Sequence, residues 1–357
     1  VALLAYNVAV VLWGAFVRAT GSGAGCGSHW PLCNGDVVPR EPTTATLIEL
    51  THRLTSGLAL VGVVVLFVLA RRVYPTQHRV RRATALSLAL MITEALLGAG
   101  LVLLEHVAHN PSEMRGVSVS LHLVNTFALL AALTATTFWA NGGRGPWRPE
   151  AESAGPAASI APATGAVSTG VGAFAARTPF LRLHRAVVAW LLPALLGVVL
   201  LGATGAIAAL GDLLFPVRTF GEGLAQDVSP TAHLFVRLRV LHPALAVVVG
   251  AYAVFAAGIL RALRPSRSVR VAARGVAVLF VVQMALGLAN VTLLAPVPLQ
   301  LLHLFFADVL WLTLIVLTLA ALSTAPHVGT SQVGGRPLRS SASATSASPA
   351  REASATG

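Results

Sequence analysis

Four histidines carry the chemistry this sequence can do. His52, His122, His242 and His303 each sit near the start of a long apolar run, whereas the other seven of the 11 histidines fall outside these runs. An ionisable side chain within such a run is costly and marks function by default. The four form two pairs, one in each half of the chain. Imidazole is an axial ligand of haem iron, and imidazoles from two facing helices can hold one macrocycle between them. A copper or zinc site and a proton relay are the competing readings. A lone metal ion wants a third ligand nearby, and the spacing offers none. Helix–helix hydrogen bonding explains a single membrane histidine, but less well two per half at matched depth.

The neighbours of these histidines differ between the halves. Glu49 stands three residues before His52, on the same helix face, and Arg53 follows it. The place of Glu49 is taken in the second half by Arg239, three before His242. A carboxylate beside a haem can take or give a proton, and a guanidinium is suited to a propionate. Glu49 has a second reading, an ion pair with Arg53 or Arg18. Glu94 and Asp308 also lie within apolar runs, as relays or as partners of an arginine. Glu94 matches Gln283 in the other half, which points to hydrogen bonding. The only two cysteines, Cys26 and Cys33, stand seven apart in GSGAGCGSHWPLCNG. Such a pair can staple a loop or cycle as a redox couple, and spacing does not separate the two.

The elements that position these residues must be membrane helices. Of the 357 residues 55% are hydrophobic and 11% charged, against about 25% charged in soluble domains. Eight runs approach or exceed the roughly 20 apolar residues that span a bilayer: 1–17, 47–70, 83–104, 119–140, 186–209, 238–260, 275–294 and 300–322. They are too long and continuous for barrel strands, so the expected fold is an all-α integral membrane bundle. The first run has no basic segment or cleavage site before it and reads as a transmembrane helix, not a signal peptide.

All 25 basic residues are arginine. Most lie in the 70–82, 141–185 and 261–274 loops and the C-terminal tail, all on one side of an eight-span chain. The positive-inside rule makes that side the cytoplasm and puts the cysteine loop outside. The net charge of +12 is therefore a topology signal, and nucleic acid is not an expected partner; membrane lipid is. Residues 141–183 are rich in Ala, Gly, Ser and Pro and read as a flexible linker. Residues 323–357 read as a disordered tail. The expected organisation is a four-helix bundle over 1–140, the linker, a second four-helix bundle over 184–322, and the tail.

The halves look like copies. LWGAFVRATG pairs with LLGATGAIAA, setting Gly14 against Gly202. EALLGAGLVLL pairs with QMALGLANVTLL, setting Gly98 against Gly287. THRLTSGLALVGVVV pairs with LHPALAVVVGAY, and LHLVNTFALL with LHLFFADVLW. The offsets run from 181 to 190 residues. Two tandem four-helix units share one orientation, so the expected relation is a pseudo-two-fold axis along the membrane normal.

GAFVRATGSGAGCGSHWPLCNG, then ELTHRLTSG, LHLVNTFALL, VLHPALA and LQLLHLFFADVLW together resemble the haem A synthase family, in order, over roughly residues 1–322. His29 stands where that family often has Asp, Glu94 where Gln is expected, and the linker is longer than usual. The resemblance implies oxidation of the C8 methyl of haem O to a formyl group, by successive hydroxylations, giving haem A for terminal oxidases. It makes His52 and His122 the ligands of the substrate haem, and His242 and His303 the ligands of a haem b cofactor. It makes Glu49 the proton-handling residue and Cys26–Cys33 a disulfide on the outer side of a bacterial cytoplasmic membrane. Arg53 and Arg239 are expected beside the haems. A haem O synthase and oxidase assembly factors are the implied partners, and no electron donor is indicated. The rival reading is a non-catalytic di-haem electron carrier using the same four histidines. A quinone-linked thiol oxidase would leave all four unexplained. On the enzymatic reading, Glu49→Gln retains haem but loses most oxidation, measured as haem product per bound haem; full activity removes Glu49 from the chemistry.

Overall fold

Backbone groups in hydrocarbon must bond within their own segment, and the Leu-, Val- and Ala-rich runs do so as helices. The computed structural model describes residues 1–143 and 171–323, with the side chains of α5 from residue 183 onward. The described helices are α1 (Ala2–Ala19), α2 (Thr44–Val73), α3 (Arg79–Leu103), α4 (Glu113–Ala140), α5 (Val171–Leu214), α6 (Phe220–Asp227), α7 (Leu234–Arg239), α8 (Leu241–Leu263), α9 (Arg267–Thr292) and α10 (Val297–Ser323). No strand occurs among the described residues. Eight helical stretches are long and apolar enough to cross a membrane, one for each run expected; α7 and α8 together make the sixth. Of the expected linker, residues 144–170 lie outside the described residues, and the backbone is helical from Val171. The expected tail lies outside them beyond Ser323.

The helices run past the apolar segments because polar residues start them. Thr43, Ser112 and Ser266 each accept the backbone N–H three residues on, capping α2, α4 and α9. The break between α7 and α8 has a local cause. Pro243 has no N–H to give the carbonyl of Arg239, and its ring crowds that turn.

Residues 1–324 form one compact unit. Within it α1 to α4 pack in sequence, and so do α5, α8, α9 and α10. The seam between the two sets is built by α4 on α5 and on α10, and by α1 on α10. α4 and α10 are the most buried spans. The main core lies along this seam, with Phe127, Leu130, Leu191, Ala257, Trp311 and Leu317 among its members. Trp311 stacks on Phe127 at 5.1 Å between ring centroids and donates its indole N–H to the Phe127 carbonyl at 2.8 Å. Away from the seam the helices expose Leu, Val and Phe side chains such as Leu54, Leu58, Leu196, Val248 and Phe255. That outward apolar surface suits lipid, whose tails compete with no polar group.

Small residues let the seam close. A Cβ on Gly202 of α5 would come within 2.8 Å of both Leu123 and Phe127 on α4. Gly202→Val should therefore destabilise the bundle by about 1–3 kcal/mol, read as a lower thermal midpoint in detergent. Gly57→Val, where a Cβ meets nothing within 4 Å, should leave that midpoint nearly unchanged.

Candidate functional site

Each of the four histidines lies against a glycine on the preceding span. A Cβ on Gly14 of α1 would sit 2.9 Å from His52 Cε1, and one on Gly205 of α5 would sit 2.9 Å from His242 Cε1. Gly98 of α3 faces His122 at 3.8 Å, and Gly287 of α9 faces His303 at 3.5 Å. The glycine equivalent to Gly14 is thus Gly205; the pairing of Gly14 with Gly202 is corrected by three residues. That shift brings its offset to 191, beside the 190 between His52 and His242. Gly202 serves the seam instead. The repeat alignment matched glycine with glycine; that each glycine faces a histidine of the next span comes from the structure.

In the second half the rings of His242 and His303 have centroids 6.4 Å apart and planes at 83°. Two imidazoles binding one metal from opposite sides, each through a bond of about 2 Å, place their centroids about 6 Å apart. The donor set fits a single iron between them. His242 Nδ1 contacts the Thr204 hydroxyl at 3.4 Å, the kind of outer partner that fixes a ligating imidazole. His52 Nδ1 and His303 Nδ1 are buried with no hydrogen-bond partner. Among the described residues no three His, Cys, Asp or Glu side chains gather as a metal cluster. Paired imidazoles on opposed helices suit a macrocycle that supplies its own four in-plane ligands.

Around the first pair, Glu49 is 3% exposed and fully engaged. One oxygen accepts the Cys26 backbone N–H at 2.8 Å; the other accepts from Arg53 Nε at 3.1 Å and Nη2 at 2.5 Å. Arg53 Nη1 also donates to the carbonyls of His29 and Leu32, both at 2.7 Å. Cys26 and Cys33 are joined by a disulfide, and the Thr46 hydroxyl donates to the Gly25 carbonyl at 2.8 Å. The cysteine loop is thereby clamped onto the first turns of α2. Gly25 lies directly on the Ala45 backbone, where any Cβ would collide. Of the two arginines considered for Glu49, Arg53 is the partner. Arg18 reaches Gln300 at 3.5 Å.

The second half has the matching clamp with signs reversed. Arg239 donates through Nε and Nη2 to Asp227 at 2.9 and 2.5 Å, and through Nη1 to Asp212 at 2.9 Å. It ties the ends of α5 and α6 to the end of α7, just before α8 begins. Its two carboxylate partners, 12 and 27 residues away, were not singled out from the sequence.

Glu94 lies beside His122. Oε1 is 3.3 Å from His122 Nε2, and the carboxylate accepts the Thr126 hydroxyl and the Asn125 amide, each at 2.5 Å. Asp308 is fully buried, and no hydrogen bond or ion pair reaches its carboxylate among the described residues.

A family model described as cytochrome oxidase assembly protein, COX15-CtaA, matches residues 1–315. Proteins named protoheme IX farnesyltransferase, from two strains of Thermus thermophilus, are each 47% identical over 320 residues, covering 90% of this chain and 47% of theirs. The chain therefore spans about half the length of these curated relatives. A protein named heme A synthase from Bacillus mycoides is 45% identical over 93 residues, 26% of this chain and 30% of its own.

The glycine seats make a direct prediction. Gly205→Val should push the His242 ring off its place and abolish whatever low-spin haem absorbance depends on His242 and His303, while leaving any signal that depends on His52 and His122. Purified-protein spectra with haem quantitation read both; full retention of haem in both halves would refute the seat.

Proposed function

This chain belongs to the COX15-CtaA family of cytochrome oxidase assembly proteins, and from that premise we propose that it is a haem A synthase, oxidising the C8 methyl of haem O to a formyl group. The observation that carries the reading is the histidine geometry. Two imidazoles stand 6.4 Å apart in the second half, and all four rings rest on glycines that leave them room. His242 and His303 would hold a haem b; His52 and His122 would hold the substrate haem. A haem b between two histidines supplies one-electron redox chemistry.

Glu49 is the proposed proton-handling residue of the first half. It is buried one helical turn before His52, and its Cys26 and Arg53 partners fix its carboxylate at the outer edge of the pocket. Through these bonds the disulfide loop positions the chemistry. Arg53 and Arg239 border the two pockets and hold the outer segments over them. The packing of α1 on α10 mirrors that of α5 on α4, which supports two four-helix halves related by a pseudo-two-fold axis. The arginine-rich 70–82 and 261–274 loops support a cytoplasmic face opposite the cysteine loop.

The name carried by the Thermus relatives makes an enzyme that farnesylates protohaem IX the proposed partner supplying the substrate. Farnesyl transfer is assigned to that partner and not to this chain, whose matched family over residues 1–315 is that of the cytochrome oxidase assembly proteins. A di-haem electron carrier would use the same four histidines without changing either haem.

Expression in a bacterial host that makes haem O but no haem A, followed by chromatography of extracted haems with mass detection, decides between them. Haem A or its hydroxymethyl precursor is the expected product. Only haem B and unmodified haem O, with an active electron supply added, would overturn the enzymatic reading.

A further inference from the structure

Glu94 on α3 and Gln283 on α9 occupy the same place in the repeat. Each stands four residues before the glycine that faces a histidine, Gly98 for His122 and Gly287 for His303. Their contacts differ. Gln283 donates its amide to the backbone carbonyl of His303 at 2.9 Å. Glu94 instead places a carboxylate oxygen 3.3 Å from Nε2 of the His122 ring. Thr126 and Asn125 hold that carboxylate from below. The one Thr126 hydroxyl proton is shared with the His122 carbonyl at 3.0 Å, and Asn125 gives its amide also to the Leu90 carbonyl at 3.0 Å. The repeat equivalents of Asn125 and Thr126 are Phe306 and Ala307, which have no side-chain donor. The whole cluster therefore belongs to the first half alone.

Nε2 is the imidazole nitrogen farthest from the backbone. When it donates a hydrogen bond to a carboxylate, its in-plane position is taken, and it cannot give an electron pair to iron at the same time. Charge-assisted hydrogen bonds of this kind are roughly twice as strong as neutral ones. Resting on the reading of the first half as the substrate pocket, we propose that Glu94 is a positioning residue that competes with iron for His122 and so makes the first pocket release its haem faster than the second. A haem that is substrate must leave once oxidised, whereas a haem that carries electrons must stay. Two axial histidines favour staying, and Glu94 offsets one of them on the side where release is needed.

Haem transfer tests this. The full chain, loaded with haem in detergent, is mixed with excess haem-free myoglobin, and transfer is followed by absorbance. The unmodified protein should show a fast and a slow phase. Glu94→Gln should slow the fast phase at least tenfold and leave the slow phase unchanged. Gln283→Glu together with Ala307→Thr, which moves the carboxylate and one of its donors into the second half, should speed the slow phase; it keeps the test open if Glu94→Gln fails to fold. A fast phase that His122→Ala removes but Glu94→Gln leaves unaltered overturns the role of Glu94 alone. A protein that binds no haem, or a fast phase that survives His122→Ala, overturns the pocket assignment itself and the role of Glu94 with it.

Discussion

A charge placed in an apolar helix must be answered from within the protein, because lipid offers no donor or acceptor. Much of the architecture around the four histidines follows from that constraint. Glu49 and Arg239 stand at the same distance before the first histidine of each half, and each is answered by a segment brought over the membrane-facing helices. The first answer comes from Arg53 and the disulfide loop; the second comes from the ends of α5 and α6. The signs are opposite but the mechanical result is one: the outer segment is fastened to the turn that carries the histidine. Removing either partner would leave a buried ion uncompensated, which is far more damaging than losing a surface pair.

The eight spans and the four histidines were legible because both rest on strong local signals. Hydrophobic length fixes a span whatever its neighbours do, and a histidine within one stands out from the residues around it. The clamps were legible only in part. The Glu49–Arg53 pair lies within one turn of one helix, so spacing alone made it a candidate. Asp212 and Asp227 reach Arg239 only after α5, α6 and α7 have turned back on one another, and no periodicity reports that. The glycine seats depend on the rotation of each helix about its axis. A small error in aligning the copies therefore pointed to Gly202 in place of Gly205. The run 238–260 was expected as one span, and the break before Pro243 that divides α7 from α8 was not anticipated.

The halves share a frame and differ in how tightly they hold the ring that the frame presents. Gly98 and Gly287 provide similar room, but Glu94 engages the imidazole itself while Gln283 engages only the backbone behind it. A duplicated bundle can keep its packing and still acquire two chemistries, because the packing residues and the ring-facing polar residues lie on different strips of the same helices. Asp308, buried with no hydrogen bond to its carboxylate among the described residues, has Phe127 as its counterpart and is another such departure.

The aromatic contact across the seam makes its two sides unequal. In a dimer of identical units every contact across the two-fold axis occurs twice, residue i on j and j on i. Here Phe127 stacks on Trp311, while the counterpart of Trp311 in the first copy is Leu130 and that of Phe127 in the second is Asp308. The Phe127–Trp311 contact therefore has no repeat at the matching places, where Leu130 and Asp308 stand. An interface of this kind joins unequal surfaces, and a duplicate of either surface would not reproduce it.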